Sequence, residues 1–200
     1  MPFFEMAGED IVILPGKIRD RLAGEMCDTE GHILPPDGTM TFISFGFHTA
    51  TILSSQRFKA HRHWRATSFP DRAPVSDGVF AAMVLDLNAE ALTFLKIMAA
   101  RGHSLAVLSS PPPTRRFGLL KSGHSEADIL MLDALVRETM AGAISALGIA
   151  VVAPPADVAP DGFLRPDLMN ADENDTHHGN PKYGELVLRD LAARCGVAPS

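Results

Sequence analysis

Apolar positions in the second half of the chain follow two different periods. Ile129, Leu132, Val136, Met140, Ala143 and Leu147 stand three or four residues apart and share one face, so they predict a helix from Ser125 that Gly148 closes. Ser104-Leu105-Ala106-Val107-Leu108 is a short unbroken apolar run bounded by Ser109 and three prolines, which predicts a buried strand ended by a loop. Ile149-Ala150-Val151-Val152 predicts a second such strand, again ended by prolines. The mostly apolar stretch from Val79 to Ala100 is long enough for one helix, with Gly102 as its stop. Asn180 suits the N-cap of a last helix, with Pro181 at the first helical position and Gly196 as the stop.

This order of helix, strand, helix, strand, helix predicts an α/β domain: parallel strands, right-handed crossovers and helices on both faces. In such sheets the loops beyond the carboxyl ends of the strands build the site, here Ser109 to Gly123 and Pro154 to Asn180. The first half is less regular. Ile11 to Leu14 is a possible strand, Thr39 to Phe45 is a better one that runs into Gly46, and Phe47 to Ser55 could begin a helix. Phe58 to Asp77, rich in Arg, His and Pro, reads as an irregular, mostly exposed loop.

Composition narrows the function classes. Two hundred residues suit a single domain spanning 1–200, and 46% apolar with 21% charged residues is ordinary for a globular chain. A formal charge of −6 gives no support to a nucleic-acid grip. No apolar run reaches the roughly 18–20 residues of a membrane span. No basic segment followed by an apolar one opens the chain, so the expectation is a cytoplasmic protein in which Cys27 and Cys195 are free thiols.

The segment with most chemical content is Asn174-Asp175-Thr176-His177-His178-Gly179-Asn180-Pro181-Lys182-Tyr183-Gly184. A carboxylate three residues before an imidazole can hold one ring nitrogen, fix the tautomer and stabilise the imidazolium, while the other nitrogen serves as general base. Asp-x-x-His is a weak pattern by itself. The same residues also read as a polar loop leading into a helix that Asn180 caps.

From Ser104 onward the chain resembles the SGNH hydrolases, the GDSL-like esterase superfamily. The resemblance rests on the strand running into Ser109-Ser110-Pro111-Pro112-Pro113, on the long helix and strand that follow, and on Asp175-x-x-His178 continuing as His178-Gly179-Asn180-Pro181-Lys182-Tyr183-Gly184. It covers roughly half the chain and implies a three-layer α/β/α sandwich with a mainly parallel sheet. It also implies ester hydrolysis through a Ser-His-Asp triad, with His178 as base and Asp175 as its orienting partner. His177 is an alternative base, but the spacing fits His178. Gly46 is the candidate oxyanion residue.

Two parts of the family pattern are missing. No Gly-Asp-Ser or Gly-x-Ser turn follows a first strand, and no Gly-x-Asn-Asp block is present, Asn88 falling within a predicted helix. The family's first strand lies inside the sheet, where unpaired backbone groups would each cost about 1–3 kcal/mol. Either Ile11 to Leu14 or another segment fills that place, or this is an N-terminally shortened version of a longer enzyme, which the missing motif favours. Ser44, Ser54, Ser55, Ser109 and Ser110 all lack the strand-to-helix elbow that exposes a nucleophile.

Other chemistry is weaker. His61 and His63 share a face if extended, and with His177, His178, Asp172, Glu173 and Asp175 could form a zinc cluster, but the two groups are far apart and no His-Glu-x-x-His helix exists. Lys59, Arg62 and Arg65 with Trp64 read as a solvated basic stretch that could also hold an anionic group. Arg115 and Arg116 are the better candidates for binding a substrate carboxylate or phosphate, since they follow the prolines on the expected site face. The expectation is therefore an esterase acting on a small-molecule ester, with no cofactor, no metal, no nucleic acid and no membrane span. The alternative is an inactive ligand- or partner-binding remnant of the fold.

Overall fold

The chain opens with an antiparallel hairpin in the computed structural model, which describes residues 3–8, 10–24, 26–44 and 49–194. Strands β1 (Phe4–Ala7) and β2 (Asp10–Ile13) pair Phe4 with Ile13 and Ala7 with Asp10. Ile11 and Ile13 of β2 are fully buried, and the rings of Phe3 and Phe4 pack on Phe94. Helix α1 (Lys17–Leu22) and a long irregular segment lead to β3 (Met40–Ile43). Short helices α2 (Thr49–Leu53) and α3 (Gln56–Ala60) precede β4 (His61–His63), which pairs in parallel with β5 (Ala73–Val75). The segment expected to be an irregular exposed loop is thus partly ordered: Phe58, His63, Ala66 and Val75 are all buried.

Next come α4 (Asp77–Leu87) and α5 (Ala89–Ala100), where the apolar pattern predicted one helix. They are bent by 68° at Asn88. The Asn88 amide side chain donates to the Val84 carbonyl at 2.8 Å, and its backbone leaves the helical region (φ −110°, ψ 11°), so a polar group ends the first helix where hydropathy alone saw continuity. Among the described residues, no single helix is long and apolar enough to cross a membrane. Phe80, Val84, Phe94, Leu95 and Met98 of this pair point inward, each contributing about 1.5–3 kcal/mol by burial.

The remaining elements are β6 (Ser104–Leu108), α6 (Gly118–Lys121), α7 (Glu126–Ser145), β7 (Ala150–Val152) and α8 (Pro181–Arg194). Ser125 caps α7 by accepting from the Asp128 amide at 3.1 Å, and Ile129, Leu132, Val136, Met140 and Ile144 form its buried face. One parallel sheet, ordered β3-β6-β7, matches Ile43 to Val107 and Leu108 to Val152, so the carboxyl ends of all three strands lie together. The fold is therefore α/β around a parallel sheet. Ile11 belongs to the hairpin, so the segment Ile11 to Leu14 does not supply a further inner strand. Among the described residues β3 pairs with β6 alone, and Met40 and Phe42 remain 54% and 39% exposed.

Candidate active site

Two loops beyond the carboxyl ends of β6 and β7 are stitched together. Pro113 accepts from the Leu164 amide at 2.8 Å, and Thr114 donates its hydroxyl to the Thr176 carbonyl at 2.7 Å. Thr114 is 1% exposed, so this bond is made out of solvent and fixes the Thr176 backbone. Behind the first loop, Arg137 of α7 donates to Ser109 Oγ (2.5 Å) and to the carbonyls of Ser110 and Pro111 (both 2.9 Å). Asp133, one turn earlier, accepts from Arg137 Nε and from the Thr49 hydroxyl, each at 2.6 Å. One partly buried ion pair therefore ties the start of α2 to the loop after β6.

The second loop is folded onto α8. Asn180 accepts from the Tyr183 amide at 3.1 Å and donates to the Asp167 carbonyl at 2.9 Å, so one side chain caps the helix and anchors the loop. Lys182, then Arg165, hold the Asp167 carboxyl down at about 2. Tyr183 packs with Val158, Leu164 and Leu168 in a small apolar cluster apart from the main core, and burial pushes its phenol up to about 12. Gly179 is needed here for space: a Cβ would stand 2.8 Å from Tyr183 Cβ and closer still to its ring.

In that frame Asp175 collects donors. Both of its oxygens lie 2.9 Å from His178 Nδ1, the His178 amide donates at 3.0 Å, and Asn170 Nδ2 donates at 2.8 Å. Burial alone would raise the Asp175 carboxyl, but the His178 amide and ring and the His177 amide outweigh it and leave the carboxyl below its ordinary value. The Asp175 side chain is 20% exposed and that of His178 is 56%. An ionised, shielded carboxylate beside Nδ1 selects the tautomer with hydrogen on Nδ1. The His177 ring lies tilted by 43° against that of His178 with centroids 4.1 Å apart, and its Nδ1 lies 3.9 Å from Asp175. Ligand atoms of Asp175, His177 and His178 all lie within 4.8 Å of one another, close enough to share one divalent ion.

Other residues singled out from sequence occupy varied places. Gly46 and Cys195 lie outside the described residues; Cys27 is a buried free thiol, which burial pushes up. The Arg115 guanidinium is held between Glu126 and Asp161 and lies 4.5 Å from the Phe163 ring centroid, while Arg116 donates to the Asn170 carbonyl at 3.0 Å. Both are thus engaged in holding loops of the site. His61 bonds the Arg57 carbonyl through Nδ1, and His63 is buried against Asp77. Ser110 is buried, and Ser54 donates to the Thr51 carbonyl one turn back.

An open cleft of about 500 Å³ reaches the dyad loop at Thr176. Leu53 and Leu119 give it apolar walls, and Lys59, Arg72 and His124 bring nitrogen-bearing side chains to it. Arg72 and His124 are set by Phe69, whose ring centroid is 3.7 Å from the guanidinium carbon and 4.7 Å from the imidazole centroid. Phe69 is the one non-glycine described residue with positive φ (58°), a conformation costing about 1–3 kcal/mol in a bulky residue. The segment bearing Phe69 is anchored by Asp128, which is 4% exposed and accepts from the Thr67 amide (3.0 Å) and the Ser68 amide (2.6 Å). Sequence reading named Lys59 within its basic stretch but missed Arg72 and His124. Positions 59, 72 and 124 meet only through tertiary structure, so no local spacing carries the signal. No family model matches this chain, and neither do any curated proteins or solved structures.

Proposed function

We propose that this chain is an SGNH-type hydrolase of carboxylic esters, with a three-layer α/β/α arrangement, His178 as general base and Asp175 as its orienting partner. The observation that carries the reading is the Asp175–His178 contact: a shielded carboxylate 2.9 Å from Nδ1 of an outward-facing imidazole, in a loop beyond the carboxyl end of a parallel strand. In the reaction a hydroxyl oxygen attacks the acyl carbon as its proton passes to His178 Nε2. The resulting imidazolium, held by Asp175, returns that proton to the departing alcohol. Water then repeats the sequence on the acyl-enzyme and releases the acid, so ester and water give acid and alcohol. Gly46 is proposed to contribute an amide to the oxyanion, and the attacking hydroxyl is unassigned.

Incubation with p-nitrophenyl acetate and with a serine-reactive fluorophosphonate tests this directly. The expected result is turnover that His178→Ala removes, together with one labelled serine identified by peptide mapping. Absence of both turnover and labelling would overturn the reading in favour of a binding remnant of the fold. The loss of activity to a chelator, restored by zinc, would instead assign Asp175, His177 and His178 to a metal.

A further inference from the structure

Lys59 and Arg72 break the charge pattern of the rest of the molecule. The chain is acidic overall, with a formal charge of −6, and cations such as Arg57, Arg65, Arg115, Arg165 and Lys182 sit on carboxylates. In the cleft the arrangement differs. Arg72 donates to the Phe58 carbonyl at 3.0 Å and stacks on Phe69, and Lys59 is exposed; among the described residues neither meets a carboxylate. The cleft lining contains no aspartate or glutamate. His124, at the same wall, keeps Nδ1 buried with no hydrogen-bond partner among the described residues. Two uncompensated cations bordering a partly apolar recess focus a positive potential into it, and an unsatisfied ring nitrogen beside them adds a polar group that calls for a partner.

We propose that this cleft is a subsite for a small anionic group, a carboxylate or a phosphate, with Lys59 and Arg72 as its ligands. The strained backbone at Phe69 supports the same assignment, because it puts an aromatic face under the Arg72 guanidinium and fixes its plane for two-pronged contact with an oxyanion. Burial, then the neighbouring Arg72, lower the His124 pKa against the opposing charge of Asp128, which favours the uncharged imidazole beside the two cations. Since the cleft reaches Thr176, next to Asp175, the substrate class that follows is an ester carrying an anionic group away from its scissile bond. That last step rests on the proposed hydrolysis; the anion subsite does not.

Calorimetric titration of the full chain with inorganic phosphate and, separately, succinate in low-salt buffer at pH 7.5 tests the subsite. One anion is expected to bind per chain, more weakly as salt is raised. Lys59→Gln and Arg72→Gln should each weaken binding by roughly 10–100-fold, the size of one charge-assisted hydrogen bond, and Arg189→Gln on α8 should leave it unchanged. Preference for phosphate identifies a phosphoryl ligand, and preference for succinate a carboxylate. Failure of the wild type to bind either anion, or equal binding by Lys59→Gln, overturns the proposal. Should Arg72→Gln fail to fold, exposed Lys59 decides the question. Turnover of a monoaryl succinate against an aryl acetate then gives the substrate arm: the wild type should favour the succinate, and Lys59→Gln should lose that preference. Anion binding with neither turnover nor serine labelling would sink the hydrolase reading and leave the subsite standing.

Discussion

Two histidine–carboxylate pairs in this molecule are built with opposite exposures. In the first, the His63 side chain is 0% exposed and its partner Asp77 59%; in the second, His178 is 56% exposed and Asp175 20%. His63 Nε2 bonds Asp77 Oδ1 at 2.7 Å while Nδ1 accepts from the Arg65 amide at 3.3 Å, so local structure uses both ring nitrogens. The same Asp77 oxygen takes the Arg65 guanidinium at 3.0 Å and the Trp64 indole at 3.1 Å; Arg65, then Trp64, hold that carboxyl below its usual range. This pair joins β4 to the start of α4. At the second pair the carboxylate is the shielded partner, surrounded by amides, and the imidazole faces outward. The comparison sets a histidine that holds a fold beside one whose ring faces outward from a shielded carboxylate, the arrangement on which the proposed base role rests.

The largest effect should come from the exposed ring. His178→Ala is expected to lower ester turnover by roughly 10⁴-fold or more, with a melting temperature within about 2 °C of wild type. Asp175→Asn should cost roughly 10³–10⁴-fold, because an amide beside Nδ1 no longer enforces the productive tautomer. If either variant unfolds the chain instead, the contrast between the pairs fails. His63→Ala should show the reverse: a stability loss of about 2–4 kcal/mol in urea denaturation, from the cavity against Phe80 and the lost bond to Asp77, with turnover per folded molecule largely kept.

Gly179→Ala should have a smaller effect, about 1–3 kcal/mol, as Tyr183 moves off the added methyl group. Turnover should fall with it, since the same displacement shifts the neighbouring His178. Mildest of all is an acid effect read from Trp64, the single tryptophan of the chain. Burial works against ionised Asp128, but the Ser68 and Thr67 contacts prevail and depress its carboxyl. A depressed carboxyl contributes stability fully above its unfolded value, near 3.8, and loses it as pH falls through the lower folded value. Trp64 emission should therefore change mainly below about pH 4, where Asp128 and the indole-bonded Asp77, depressed as well, take up protons. In Asp128→Asn this acid step should diminish.

Much of the second half was legible in the sequence because its signals are local. The α7 stripe, the Asn180 cap and the two proline-bounded strands depend on neighbours within one turn or one strand. The helix spanning Val79 to Ala100 shows the limit: its hydropathy is continuous, and only the Asn88 side chain, competing for the Val84 carbonyl, divides it. The segment from 58 to 77 was harder. Its polar composition suggested solvent, yet it is ordered by Asp128, sixty residues away in sequence, and by the His63–Asp77 pair. Asp175 and His178 stood out through spacing, whereas the cleft cations became recognisable only once folding brought positions 59 and 72 beside 124. Arg115 and Arg116 lie on the expected side of the molecule, but their charge and donors are directed to Glu126, Asp161 and the Asn170 carbonyl.

The left-handed turn at Phe69 bears on how this protein would respond to selection for heat resistance. Glycine adopts that conformation without strain, so Phe69→Gly removes a local frustration while deleting the ring on which Arg72 rests. A search for stabilised variants would thus be drawn to a substitution that leaves the guanidinium with its bond to the Phe58 carbonyl but without the ring that sets its plane. Robustness and molecular recognition pull in opposite directions at this position, and the aromatic side chain sits on the recognition side.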